Sequence, residues 1–138
     1  MWWGEIYLGI TVGTGLFVVW KGSEHILRAA ILVLCQWGAY NVLHGGPLWG
    51  PATNAVVDLA LLTLMISNWR FSRSTIFLSL SVVLAARLSW HFVNAIAGIG
   101  AYTYAEINNA IYIVELVCIW VAVLRQVDVT NGGAPSDR

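Results

Sequence analysis

Apolar positions along this chain fall into five blocks, each ended by a short polar or glycine-bearing interruption. The blocks cover about residues 2–20, 24–44, 51–68, 74–97 and 104–125, and each approaches the roughly 20 residues that an α-helix needs to cross a bilayer. Lys21-Gly22-Ser23, Gly45-Gly46-Pro47, residues 68–73 and Gly98-Ile99-Gly100 punctuate them. The pattern predicts an all-α, polytopic membrane helix bundle of five transmembrane helices. It forms a single domain over residues 1–127, followed by a flexible polar tail over 128–138.

Composition moves the chain in the same direction. Of its 138 residues 59% are hydrophobic and 10% charged, and the mean hydropathy is +0.73, so the lipid bilayer is the expected solvent. Seven basic and seven acidic side chains balance to zero, with no basic run long enough to follow a phosphate backbone; nucleic acid is not an expected partner. Cys35 and Cys118 stand in apolar stretches without a CxxC or a ligand cluster, which argues for small packed hydrophobes, no disulfide framework and no metal site.

Charge then sets a direction. With five spans, Lys21, Arg28, Arg70, Arg73, Arg125 and Arg138 fall on one side, while the other side carries Glu5, the HGGPLWGP turn and Glu106 with no Lys or Arg. Basic residues favour the cytoplasmic face, so the N-terminus is expected outside and the C-terminus in the cytoplasm, as a multi-pass protein of the inner membrane. The first block is the least regular, with Glu5 and four glycines; an interfacial helix is its alternative. Gly9-xxx-Gly13 offers a small-residue face for helix packing, and Lys21 follows the apolar run, the reverse of a signal peptide. Trp2, Trp3, Trp49 and Tyr102 suit an outer aromatic belt.

Two hairpins resemble each other. Trp37-xxx-Asn41, a turn, Asn54-Ala55-Val56 and Asp58 are echoed by Trp90-xxx-Asn94, a turn, Asn109-Ala110-Ile111 and Glu115. This suggests two parallel repeats about an axis along the membrane normal.

Depth follows from equal distance to a turn. With the second outer turn centred near Ala101, Asn94 is level with Asn108, and Arg87 with Glu115 near the midplane of a core about 30 Å thick. Asn41 is level with Asn54, and Asp58 with His91. Arg87, His91 and Asn94 share one helix face, Asn54 and Asp58 a second, and Asn108, Tyr112 and Glu115 a third. These stripes are expected to face inward as a buried polar cluster or pathway, with Arg87–Glu115 and His91–Asp58 as the pairs. An ion costs about 2.5–3.5 kcal/mol at midplane on insertion scales, so it is kept for a partner or a use. The bland alternative is a charge pair that only fixes hairpin register, and for His91 an ordinary hydrogen-bonded core histidine.

No Walker, HExxH or dinucleotide motif, no nucleophile triad and no level pair of histidines for haem is present, so neither enzyme activity nor a cofactor is expected. Three functions fit. The first is a holin-like or channel-like pore formed by self-assembly into a homo-oligomer. The second is a proton- or ion-coupled small transporter using Asp58, His91 and Glu115. The third is an accessory subunit of a larger membrane complex.

The topology predicts that reporters fused after Lys21, His44, Asn68, Gly100 and Arg125 alternate in location, beginning in the cytoplasm. Failure at the first span alone demotes that span to the interface; failure elsewhere removes the topology.

Overall fold

Connections of two or three residues at 22–23, 73–74 and 98–100 leave the helices they join no option but to fold back on each other. The computed structural model describes residues 3–43 and 50–132, with the backbone alone for residues 3, 4, 43 and 127–132. The helices are α1 (Trp3–Lys21), α2 (Glu24–Leu43), α3 (Pro51–Ser72), α4 (Thr75–Ala97) and α5 (Ala101–Gly132). Helices α3, α4 and α5 are each long and apolar enough to cross a membrane. Helix α2 touches all four others, α3 packs most closely on α4, and α1 leans on α2 and α5.

One end of the bundle collects the basic residues. The backbone N–H of Ser23, in the α1–α2 turn, donates to Gln126 Oε1 at 3.0 Å, and His25 meets the edge of Phe77 at the start of α4. Lys21, Arg28, Arg70, Arg73 and Arg125 therefore share this basic end, and Glu5 and Glu106 the opposite, acidic end.

The buried stripes divide along the same axis. Toward the basic end the core is dry: Ala29, Ala30 and Val33 on α2, Leu61 and Met65 on α3, Phe77, Leu80 and Leu84 on α4, and Ile119 and Val123 on α5. Ala29 and Ala30, in the second turn of α2, are almost wholly buried, and such small side chains let helices pack closely. Beyond this layer, toward the acidic end, the same stripes continue as Gln36, Asn54, Asp58, Arg87, His91, Asn94 and Glu115, all buried. Outward faces are mainly apolar, as at Leu16, Val56, Val82, Phe92 and Val117.

Several boundaries differ from those the pattern predicts. Helix α3 does not stop at Asn68. Asn68 Nδ2 donates to the Leu64 carbonyl and Ser72 Oγ to that of Asn68, so both side chains feed on their own helix. The stop comes at Arg73, in the left-handed region at φ 56°, with its N–H on the Trp69 carbonyl and its guanidinium 5.4 Å from the Trp69 ring. Helix α5 begins at Ala101, because left-handed Gly98 caps α4 on the Asn94 carbonyl and the turn is complete by Gly100. It also runs to Gly132, into the stretch expected to be a loose tail. Trp2, His44, Trp49 and residues 133–138 lie outside the described residues.

Helix α1 docks by hydroxyls rather than by bare glycine. Thr11 Oγ1 and Tyr112 Oη are 3.0 Å apart, Trp120 Nε1 donates to Thr14 Oγ1 at 2.9 Å, and Phe17 stacks on Trp120 at 4.5 Å. In hydrocarbon a phenol or indole N–H finds no solvent partner, which favours the threonine face. Gly9 and Gly13 are exposed, and a Cβ on either would meet nothing within 4 Å, so the small-residue face is not a packing face within the protomer.

Gly22 is the glycine that packing does require: a Cβ there would lie 2.6 Å from the Val18 carbonyl oxygen and 2.9 Å from Val18 Cγ1. Gly22→Ala is expected to destabilise the α1–α2 turn by about 1–3 kcal/mol. Gly13→Ala should be neutral or slightly stabilising. Thermal unfolding of the purified variants in detergent checks the contrast, and equal midpoints would refute it.

Candidate functional site

An ion taken out of water survives only with partners, and the polar half of this bundle is built around four such groups. Arg87 and Glu115 are 1% and 0% exposed, Asp58 0% and His91 2%. Their meeting follows from hairpin register. Counted from the middle of the Arg73-Ser74 turn, Asp58 lies about 15 residues back, and Arg87 and His91 about 13 and 17 residues forward, so Asp58 faces the gap between them.

Asp58 uses both oxygens. Oδ1 accepts from Gln36 Nε2 and from the Tyr40 hydroxyl, and lies 3.9 Å from Arg87 Nη1. Oδ2 is 2.8 Å from His91 Nε2. On the far side of the imidazole, His91 Nδ1 is 2.7 Å from the Tyr104 hydroxyl, which accepts from Asn54 Nδ2 at 3.1 Å. Because Asn54 supplies a proton to that hydroxyl, the tyrosine is free to give its own to Nδ1. That assigns neutral His91 the tautomer with hydrogen on Nε2, donating to Asp58. Arg87 Nη2 donates to Glu115 Oε2 at 3.1 Å, and the guanidinium lies 5.9 Å from the Tyr40 ring.

Arg87 and Glu115 are not level once the turn is centred near Ile99: Glu115 lies about one helical turn nearer the basic end. Side chains lean toward their own helix N-terminus, so on antiparallel α4 and α5 the arginine leans toward the glutamate and the glutamate toward the arginine. A long side chain closes the offset.

The remaining predicted residues separate. Asn54 and Asp58 join Arg87, His91 and Glu115 in one network. Tyr112 is buried but bonds Thr11, and so fastens α1 instead of joining the ions. Asn94 is buried and Asn108 half-buried, yet no hydrogen bond joins them, and each leaves its Oδ1 unpartnered. The early start of α5 explains this, because it puts Asn94 level with Tyr104 rather than Asn108. Asn41 lies outside the cluster: it is exposed, and its Nδ2 is satisfied by the Trp37 carbonyl at 2.8 Å. The paired hairpin positions correspond in burial at Asp58 and Glu115 but not at the asparagines, where Asn54 is buried and its counterpart Asn109 exposed. Gly9 and Gly13 face away.

Gln36, Tyr40 and Tyr104 are the members that the sequence pattern passes over. The two α2 residues were within reach of the depth rule: position 37 is level with Asp58 across the first hairpin, and Gln36 and Tyr40 flank it one turn apart. Tyr104 was hidden by assigning residues 98–103 to the turn.

Among the described residues no three His, Cys, Asp or Glu side chains are placed to hold a metal ion, and both His91 ring nitrogens are engaged. No protein-family model, curated protein or solved structure matches the chain. The chemistry of the site rests on the network itself: one guanidinium, two carboxylates and an imidazole wired between a carboxylate and a phenol.

Removing Arg87 strands two carboxylates, but unequally, because Asp58 keeps Gln36, Tyr40 and His91 while Glu115 loses its one hydrogen bond. Arg87→Ala should destabilise the fold by about 3–5 kcal/mol, as for other broken buried pairs. Adding Glu115→Gln should recover a substantial part, whereas adding Asp58→Asn should not. Detergent-solubilised thermal midpoints of the three variants test this; equal recovery by both second substitutions would contradict the unequal sharing.

Proposed function

We propose that this chain is a proton- or ion-coupled small transporter of the inner membrane, spanning it five times with the acidic end outside. The observation that carries the reading is the placement of the Asp58–His91–Tyr104 relay and the Arg87–Glu115 pair in one half of the bundle, against a dry apolar layer in the other. A carrier needs groups that change charge at a depth reached from one side at a time. A pore within one protomer would need polar lining to both ends, and Leu61, Met65, Phe77, Leu80 and Ile119 occupy the second half. A pore between protomers would have to be lined by outward faces that are mainly apolar, with scattered polar side chains such as Asn41, Thr63 and Ser89 already satisfied on their own helices. Five spans and the outward N-terminus are supported by helix lengths and by the collection of Lys21, Arg28, Arg70, Arg73 and Arg125 at one end.

In liposomes loaded with a pH indicator and with calcein, an imposed pH gradient should drive protein-dependent proton movement while calcein stays inside. His91→Gln keeps an amide hydrogen for Asp58 but cannot titrate, and it should slow that movement by about tenfold or more while leaving the protein folded. Calcein release would replace the carrier by the pore; neither proton nor dye movement would leave the accessory subunit.

A further inference from the structure

We propose that the groove beside the α3–α4 turn binds the phosphate of an anionic phospholipid, drawn from the leaflet at the basic end of the bundle. The site goes beyond the carrier reading and does not depend on it.

Ser67, Arg70, Phe71 and Arg73 line one groove of about 460 Å³. The first three share a face of α3 at i, i+3 and i+4, and Arg73 joins them from the turn. Among the described residues Arg73 is the non-glycine residue with positive φ, at 56°, whereas the matching cap of α4 is Gly98 at 63°. Glycine takes that conformation without strain and arginine does not, so the position keeps a guanidinium against the preference of the backbone.

The polar groups of the groove are also without partners. Arg28 is engaged by Glu24, and Arg87 by Glu115 and Asp58, but among the described residues Arg70 and Arg73 make no ion pair. On the same helix Thr63 Oγ1 and Ser72 Oγ donate to the carbonyl four residues back, whereas Ser67 Oγ makes no hydrogen bond among the described residues. Two forked cationic donors and a hydroxyl around one groove suit the oxygens of a phosphate. The carbonyls at a helix C-terminus repel anions, but here the Asn68 carbonyl is covered by the Ser72 hydroxyl and the Trp69 carbonyl by the Arg73 N–H.

Depth and Phe71 favour a lipid phosphate over a soluble one. Ser67 lies about 8 Å along the axis from the end of α3, close to the thickness of one headgroup layer, about 5–8 Å. Phe71 is 91% exposed, the most of any large apolar side chain described. An acyl chain covers that ring, and a soluble anion leaves it bare. The four lining residues include no carboxylate to receive the ammonium of a zwitterionic headgroup, which selects an anionic one.

The test uses the purified full chain in dodecyl maltoside. Dioleoylphosphatidylglycerol should raise the thermal midpoint saturably, whereas dioleoylphosphatidylcholine, and inorganic phosphate at matched ionic strength, should not. Arg70→Gln and Arg73→Gly should each raise the half-saturating phosphatidylglycerol concentration about fivefold. Arg125→Gln, which removes the same charge from the same end but outside the groove, should change it by less than about twofold. Without lipid, Arg73→Gly should keep or raise the midpoint, since glycine suits the left-handed cap. No response to phosphatidylglycerol, equal stabilisation by phosphatidylcholine, stabilisation by inorganic phosphate, or an equal shift in all three arginine variants would each overturn the proposal. The unsubstituted protein decides the first three even if a variant fails to fold. None of these readings involves proton movement, so the carrier stands or falls separately.

Discussion

A charge in hydrocarbon must be answered within reach of its own side chain, and Arg87 is where this constraint organises the bundle. Its guanidinium is shared between Glu115 at 3.1 Å and Asp58 at 3.9 Å, which fixes α4 against α5 and α3 at once. Asp58 passes the constraint to α2 through Gln36 and Tyr40, and Tyr104 returns it from α5 to α3 through Asn54. Between helices in lipid a hydrogen bond contributes on average about 0.6 kcal/mol and at most about 1.7. No one of them offsets the cost of placing an ion at midplane, about 2.5–3.5 kcal/mol. Several together, with opposite charges in contact, do, and this is why the polar groups occur as one network rather than as scattered pairs.

Polar side chains that face outward solve the same problem locally. Asn41, Thr63, Asn68 and Ser89 each donate to the carbonyl four residues earlier on their own helix. They need no partner helix and impose no register. Inward-facing Thr14 does both: it donates to the Ile10 carbonyl and accepts from Trp120. The difference between the two classes is geometric, set by which face of a 3.6-residue turn a residue occupies, and it separates Asn41 from Asn54 although both are asparagines near the same turn.

That geometry also marks how far the sequence could be read. Five apolar blocks, their order and the pairs Arg87–Glu115 and His91–Asp58 were legible, because block length and i, i+4, i+7 spacing depend on local arithmetic. What was not legible depends on where turns close. Assigning residues 98–103 to a turn, when Gly98 and Gly100 complete it alone, moved α5 by about one turn and so mismatched Asn94 with Asn108 and concealed Tyr104. Arg87–Glu115 survived the shift because an arginine side chain spans the error; two short asparagines do not. The Gly9-xxx-Gly13 face is exposed in the protomer, where α1 docks instead through Thr11 and Thr14 on Tyr112 and Trp120. Spacing shows that a backbone could approach closely, but not which neighbour would do so.

The core divides into a wet and a dry half. Leu61, Met65, Phe77, Leu80, Leu84, Ile119 and Val123 are close-packed and almost wholly buried, so no ion crosses them unless helices separate. Asp58 is answered on one oxygen by His91 and on the other by Gln36 and Tyr40, with Arg87 beside it. Arg87 ties α4 to α3 on one side and to α5 on the other. The same helices carry the dry layer in their basic-end halves, about one to three turns below. The ion network of the wet half and the apolar packing of the dry half are thus carried by the same three helices, so a change of packing in one half is felt by the elements of the other.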